Sequence, residues 1–143
     1  MKKLLSTFSI LLFLSGMQSS GQVLSPVTLH DGTNTISLPG GNSVEFNFKG
    51  HYFSNFIFHD AAGTAHPLKT SRGIVNGVPA PACRADQVRE AYASYQKDIG
   101  VYICKEKPSS AAAYREFDMT IDMPGPGGAG KAQNRRVEVK LSK

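Results

Sequence analysis

The sequence predicts a mainly β protein, a single antiparallel β-sandwich of six or seven strands with one short helix inside a disulfide loop. Three observations lead to this prediction. Apolar and polar residues alternate with a period of two along several short stretches, which is typical of strands with one buried face. Clusters of glycine, proline and asparagine separate these stretches at short intervals, as they do in sandwich folds. A single stretch, residues 85–96, has apolar residues at helical spacing.

The start of the chain has the pattern of an export signal. Lys2 and Lys3 precede an apolar run over residues 4–14, and small residues close the segment. The run is shorter than the about 20 residues that a membrane-spanning helix needs. We therefore expect residues 1–21 to be a signal peptide, residues 22–143 to form one domain, and the protein to be exported, either periplasmic or secreted.

A hairpin and a central strand are predicted at the start of the domain. Residues 35–38 alternate, residues 39–42 form a turn of proline, glycine and asparagine, and residues 43–48 alternate again, with their apolar side chains on one face. Residues 52–58 include three consecutive apolar residues, which indicates a strand covered on both faces. The proline and glycine residues of segment 64–82 predict that it is mostly loop.

Residues 85–96 are predicted to form the one helix. Val88, Ala91, Tyr92 and Tyr95 recur at the spacing of one helical face, and polar residues take the other side. The last third of the chain is predicted to be β again. Its alternating strands lie at residues 99–103, 117–123 and 137–141, with a glycine-rich turn at 124–130.

Cys83 and Cys104 are the only cysteines of the chain. In an exported protein such a pair normally forms a disulfide. A closed loop of about 22 residues would stabilise the fold by roughly 3 kcal/mol in the chain-entropy model. Redox or metal chemistry is the alternative, but the chain has no Cys-x-x-Cys and no histidine close to either cysteine in sequence.

The charge of the domain is mildly positive. Of 16 lysine and arginine residues, 14 remain without Lys2 and Lys3, against 11 aspartate and glutamate residues, so the net charge is about +3. Because acidic residues are interspersed with the basic ones, we expect no nucleic-acid partner. The spacing of His59, Asp60 and His66 matches no metal signature, so we interpret them as turn residues and expect no metal and no cofactor.

Acidic side chains occupy the polar face of one predicted strand. Glu116, Asp118 and Asp122 alternate with apolar residues, which is the pattern that solvation of an exposed sheet face produces. Glycosidases use two carboxyl groups about 5 to 9.5 Å apart across a cleft. A small glycan-binding or hydrolytic envelope protein is therefore an alternative, and a structural surface component is another. The chain has no Gly-x-Ser-x-Gly motif, and we expect it not to be an enzyme.

Several segments occur in an order that resembles a known family. They are Ile36–Leu38, Pro39–Asn42, Val44–Phe48, Phe56–Gly63, Gly100–Ile103 and Phe117–Ile121. This order is similar to that of the bacterial pre-peptidase C-terminal domain, in which an aromatic strand ends in Asp-x-x-Gly and a final strand carries Gly-x-Tyr. Small exported sandwiches of this type include the periplasmic inhibitors of goose-type lysozyme. The resemblance implies a non-catalytic protein that blocks a muramidase.

The predicted function is therefore protein binding, as an inhibitor or immunity-like partner of a cell-wall lytic enzyme. Lysozyme inhibitors of several kinds insert a loop that carries serine, glycine and tyrosine into the enzyme cleft, and residues 109–114 loosely resemble such a loop. The surrounding segment 105–115, between two predicted strands, is the predicted binding surface. Five tyrosines and no tryptophan also fit a protein-binding surface. The predicted binding residues are Lys105, Lys107, Ser109, Ser110, Tyr114 and Arg115.

Overall fold

The computed structural model describes residues 21–71, 74–75, 78–106, 115–125 and 135–143. Within these ranges the chain forms thirteen strands, a 3-10 turn at Pro39–Gly41 and no α-helix, so the mainly β class is confirmed. In chain order the strands are β1 (Gln22–Val23), β2 (Val27–Thr28), β3 (Gly32–Ser37), β4 (Ser43–Lys49), β5 (Tyr52–His59), β6 (Ala65–Pro67), β7 (Lys69–Ser71), β8 (Ile74–Val75), β9 (Val78–Pro79), β10 (Gln87–Ser94), β11 (Ile99–Glu106), β12 (Glu116–Asp122) and β13 (Arg136–Ser142).

Eleven of these strands belong to two sheets. Sheet A has seven strands in the order β1-β13-β12-β11-β10-β7, with β2 also paired to β13, and sheet B has four in the order β3-β4-β5-β6. Strands β1 and β2 run parallel to β13, and the neighbours within sheet B are antiparallel. The remaining two strands, β8 and β9, pair only with each other. The prediction of a single sandwich of six or seven strands is therefore not confirmed, because the described strands form sheets of seven and four strands and a separate pair.

One apolar cluster contains side chains from both sheets. Phe48 of sheet B and Phe117 of sheet A meet edge to face with ring centroids 5.7 Å apart, and Phe53 lies 5.0 Å from the same Phe117 ring. The alternation predicted for β4, β12 and β13 is confirmed, because the apolar residues of each strand are buried. They are Val44, Phe46, Phe48, Phe117, Met119, Ile121, Val137, Val139 and Leu141.

Strand β5 turns an extra aromatic residue into the core by means of a β-bulge. Its register with β4 shifts between Glu45 and Asn47, and Asn55 has a positive φ of 54°. The extra residue lets Phe53 and Phe56, three positions apart, both point inward. The prediction of a central strand here is confirmed, since β5 lies between β4 and β6.

The predicted helix at residues 85–96 is wrong. Residues Gln87–Ser94 form strand β10, paired along its whole length with β11. Tyr92 points to the core, with its ring 4.3 Å from that of Phe56, while Ala91 and Ala93 are buried on the opposite face. Apolar residues on both faces of a strand produced a spacing that resembles a helical one.

The predicted loop at residues 64–82 is also largely wrong, because it contains the four short strands β6 to β9. The chain passes from sheet B to sheet A between β6 and β7. At this crossing Leu68 is buried, and its N–H donates to the carbonyl of Phe56 at 2.8 Å. The crossing therefore fixes β7 at the edge of sheet A.

The predicted signal peptide, residues 1–21, lies outside the described residues except for Gly21. In the described part of the chain, no helix is long and apolar enough to cross a membrane.

Candidate functional site

The turn between β4 and β5 and the ends of three strands of sheet A meet at one end of the molecule, which we call the loop end. It comprises the turn 50–51 between β4 and β5, residues 84–87 at the start of β10, Glu106 at the end of β11, and residues 115–116 at the start of β12. The register places Gln87 opposite Glu106. Functional residues commonly lie where loops converge on a rigid sheet framework, so this end is the first candidate for a binding surface.

Lys105 is the residue that joins sheet A to this turn. It is 3% exposed, and its ammonium group forms an ion pair with the Glu90 carboxylate. The same nitrogen donates to the carbonyl oxygen of His51 at 3.1 Å and lies 5.9 Å from the centre of the Tyr52 ring and 5.5 Å from that of Phe53. A buried ammonium group with these partners holds the turn against the sheet.

A second buried polar contact joins the two sheets nearby. The hydroxyl group of Tyr92 donates to the carbonyl oxygen of Phe53 at 3.0 Å and lies 3.3 Å from the Glu90 carboxylate. Burial raises the pKa of Tyr92, and the negative charge of Glu90 raises it further. The phenol therefore stays protonated and remains a donor near neutral pH.

Tyr52 is the exposed part of this arrangement. Its side chain is 67% exposed, and its ring centroid lies 4.2 Å from that of His51. Aromatic residues held on a rigid base bury a large surface on binding and lose little conformational entropy. The buried pair of Lys105 and Glu90 thus supports an exposed aromatic side chain beside the end of β11.

The structure describes two of the six predicted binding residues, Lys105 and Arg115. The prediction that Lys105 lies in an exposed loop is wrong, because it lies in β11 and its charge is buried. Arg115 is exposed at the start of β12, and its carbonyl oxygen accepts a hydrogen bond from the Lys143 N–H at 2.9 Å. The other four, Lys107, Ser109, Ser110 and Tyr114, lie outside the described residues.

The predicted disulfide is confirmed. Cys83 and Cys104 are bonded, with Cα atoms 5.7 Å apart. The bond fastens the segment before β10 to the outer face of sheet A, where Ala80 packs on Ala91, Ala93 and Tyr102.

Arg84, next to the disulfide, adds an ion pair across to Glu106 at the loop end. Hydrogen bonds with Asp86 and Glu106 raise the pKa of Arg84, so the guanidinium group remains charged. Three elements of the loop end are therefore held by side-chain contacts. They are the turn, the start of β10 and the end of β11.

The acidic face of β12 is matched by basic residues of β13. Lys140 lies 2.9 Å from an oxygen of Asp118, and Arg136 lies 2.9 Å from an oxygen of Asp122. Partial burial acts to raise the pKa of Asp118, but hydrogen bonds from Lys140 and Gln87 outweigh it and hold the pKa below its usual value. Asp118 and Asp122 are also four positions apart on one strand, or about 13 Å at ~3.3 Å per residue.

The separation of Asp118 and Asp122 exceeds that of a glycosidase pair. Such a pair needs carboxyl groups about 5 to 9.5 Å apart, and its general acid needs a raised pKa. Asp118 and Lys140 instead line a shallow groove of about 310 Å³ beside the disulfide, together with Arg84 and Gln87. On this part of the outer face of sheet A, Asp118 and Asp122 are therefore each paired with a basic residue of β13.

Two of the four histidines, His59 and His66, lie close to carboxylates. His66 lies 2.9 Å from an oxygen of Asp60, and this hydrogen bond lowers the pKa of Asp60. His59 lies 3.4 Å from an oxygen of Glu45. Over the described part of the chain, no three histidine, cysteine or acidic residues are grouped so that they could hold a metal ion.

Sequence reasoning missed Glu90 and His51 as parts of the site, although one pattern pointed to Lys105. Ile99, Val101 and Ile103 share the buried face of β11, and the same period of two places Lys105 on that face. A lysine in that position needs a buried carboxylate or carbonyl partner.

Comparisons with known proteins leave the site to be interpreted from its own geometry. No family model, no curated protein and no solved structure matches this chain.

Proposed function

We propose that this protein is an exported, non-catalytic binding domain that blocks a cell-wall lytic enzyme of the muramidase type. We also infer that sheets A and B form one sandwich domain, since one apolar cluster draws on both. The partner would be bound at the loop end, and inhibition would be steric. The choice of partner class rests on the resemblance between the order of segments in this sequence and that of the domain family that includes periplasmic inhibitors of goose-type lysozyme.

The observation that carries the proposal is the support beneath Tyr52. Its ring is 67% exposed, yet the adjoining turn is held by the buried Lys105 ammonium group through the His51 carbonyl. An exposed aromatic side chain on a turn that is already ordered is the kind of anchor that dominates protein interfaces. The exposed charged residues of the loop end, Arg84, Glu106 and Arg115, would provide a polar rim.

The test compares two exposed tyrosines that lie at opposite ends of the molecule. Tyr52 belongs to the loop end, whereas Tyr95, 57% exposed, follows β10 at the far end of the β10–β11 hairpin. We expect the protein to inhibit a goose-type lysozyme. Tyr52→Ala should weaken binding by about tenfold to a hundredfold, which corresponds to roughly 1.4 to 3 kcal/mol. Tyr95→Ala should bind as the wild type does.

Two outcomes would count against the proposal. If the wild-type protein neither inhibits the lysozyme nor retains a lytic enzyme from a periplasmic extract, the proposed function is wrong. If inhibition occurs but Tyr52→Ala and Tyr95→Ala bind equally well, the loop end is the wrong surface. A third variant, Tyr114→Ala with Arg115→Ala, tests the predicted loop directly, and an unchanged affinity would remove it from the interface.

A further inference from the structure

The edges of the two sheets differ in how well they are protected against pairing with another strand. Strands β6 and β7 have three residues each, and they contain Pro67 and Lys69. At the other edge of sheet A, β1 and β2 have two residues each, and Pro26 lies between them. Short strands, proline and lysine are the usual devices that prevent edge-to-edge association.

Strand β3 has none of these devices. Its six residues, Gly32–Ser37, include no proline and no charged side chain. In the described part of the chain it pairs with β4 and with no second strand, so its other edge is open. Thr33, Thr35 and Ser37 are exposed along it, while Asn34 and Ile36 point into the core.

We propose that β3 pairs with β3 of a second copy of this chain, antiparallel and about a two-fold axis. A two-fold axis brings equal residues close together, so a charged edge would repel its own copy. The uncharged edge of β3 meets no such repulsion. Pairing would join two four-stranded sheets into one of eight strands and would satisfy the open backbone groups of both edges.

The faces of the sheet restrict the register of this pairing. Directly opposite residues in an antiparallel pair lie on the same face of the sheet. A two-fold axis at Thr35 places Thr35 opposite Thr35 of the partner and Thr33 opposite Ser37 of the partner. Hydroxyl groups then lie side by side on the solvent face, and Asn34 lies opposite Ile36 of the partner on the core face.

This association would leave the loop end open. Gly32 pairs with Phe48, so the start of β3 lies at the loop end of its own protomer. Antiparallel pairing directs the two loop ends away from each other. One strand pair buries a smaller surface than the about 1,200 Å² of a stable interface, so we expect the dimer to dissociate on dilution.

The first test measures mass by sedimentation over a wide range of protein concentration. We expect the wild type to approach twice the monomer mass at high concentration and Thr35→Lys to remain a monomer, because two lysines would face each other across the axis. Thr28→Lys changes another exposed threonine, on β2; it is the matched control and should dimerise like the wild type. A wild type that stays monomeric, or equal loss of the dimer in both variants, would overturn the proposal.

A crosslinking test does not depend on a variant that loses binding. Thr35→Cys should form a disulfide-linked dimer under mild oxidation, since the two residues lie opposite each other. Thr33→Cys should not, because the two copies of residue 33 would lie about 13 Å apart at ~3.3 Å per residue, beyond the ~7 Å limit for Cα atoms in a disulfide. Mixing Thr33→Cys with Ser37→Cys should restore a crosslink. Equal crosslinking of Thr35→Cys and Thr33→Cys would contradict this register and with it the proposed dimer.

Discussion

Two ion pairs on sheet A, Glu90–Lys105 and Asp118–Lys140, have the same chemistry and very different surroundings. The Lys105 side chain is 4% exposed, and its nitrogen also holds the His51 carbonyl of sheet B. The Lys140 side chain is 76% exposed, and its pair with Asp118 joins adjacent strands of one sheet. Because of this difference, we expect burial and additional partners, and not the number of ion pairs, to determine what each pair contributes to the free energy of unfolding.

The two pairs also differ in what they hold in place. Loss of the exposed pair leaves both groups in water, where solvation replaces the partner. Loss of one member of the buried pair leaves a charge or a carbonyl without compensation in the interior. The buried pair should therefore control both stability and the order of the turn that carries Tyr52.

The largest effect is expected for Lys105→Met. This change removes the charge that compensates Glu90 and the donor that holds the His51 carbonyl, while keeping an unbranched side chain of similar size. We expect the free energy of unfolding, measured by chemical denaturation, to fall by about 3 to 5 kcal/mol. Lys140→Met is the matched control and should lose less than about 1 kcal/mol. Equal losses in the two variants would remove the distinction between the pairs.

A double variant separates stability from function. Lys105→Met with Glu90→Leu replaces the whole pair by apolar side chains, and such replacements are often neutral or stabilising. We expect it to recover most of the stability lost in Lys105→Met. Binding to the lytic enzyme should stay weakened, because the turn at His51 has lost its donor. Recovery of both properties would show that the pair has no role in ordering the turn.

The second largest effect is expected for the disulfide, which fastens the outer face of sheet A where the exposed ion pairs lie. Cys83→Ser with Cys104→Ser should lower the free energy of unfolding by about 2 to 4 kcal/mol, since the closed loop no longer restricts the unfolded chain. Denaturation of the variant and of the reduced wild type should give similar values. A loss as small as that of Lys140→Met would mean that the surface contacts alone hold this segment.

The third largest effect is expected at Gly100, where β11 has no side chain. A Cβ atom added at Gly100 would lie 2.6 Å from the hydroxyl oxygen of Tyr102, whose ring covers the glycine. Gly100→Ala should therefore lower the free energy of unfolding by about 1 to 3 kcal/mol through displacement of this ring. In a Tyr102→Ala background the same change should cost much less. Equal costs in the two backgrounds would show that the ring is not the obstacle.

Half-buried strands were predictable from the sequence, whereas contacts between the sheets were not. Strands β4, β12 and β13 each have one wet face, so their side chains alternate and their boundaries follow from the pattern. Strand β10 lacks this alternation, because Ala91 and Ala93 are buried on its outer face and Tyr92 is buried on its inner face. Two covered faces remove the alternation that identifies a strand.

The candidate site shows the same limit. The disulfide followed from there being only two cysteines in an exported chain. The period of β11 would also have placed Lys105 on the buried face, but we predicted it in an exposed loop. The partner of Lys105 did not follow from the sequence, because His51 is 54 positions away in sequence and is brought near only by the packing of sheet B on sheet A. Propensity and pattern describe single strands, and they contain no information on which turn reaches which strand end.

The smallest effect concerns the exposed pair and its dependence on pH. The pKa of Asp118 is lowered in the folded protein, chiefly by hydrogen bonds from Lys140 and Gln87 that outweigh partial burial. A group with a lowered folded pKa contributes stability above its unfolded pKa of about 3.9, and this contribution is lost as the pH falls through the folded pKa. Asp118→Asn should therefore lower the free energy of unfolding by less than about 1 kcal/mol near neutral pH.

At a pH below the folded pKa of Asp118, Asp118→Asn and the wild type should be equally stable. Lys140→Met should show the same convergence in acid, because both variants remove one pair. High salt should reduce the difference at neutral pH, since charges this exposed are screened. Glu90–Lys105 should respond much less to salt, because its ammonium group is out of contact with the ions in solution. If salt strongly reduced the loss of unfolding free energy caused by Lys105→Met, solvent ions would reach the Glu90–Lys105 pair. The proposed distinction between this pair and Asp118–Lys140 would then be wrong.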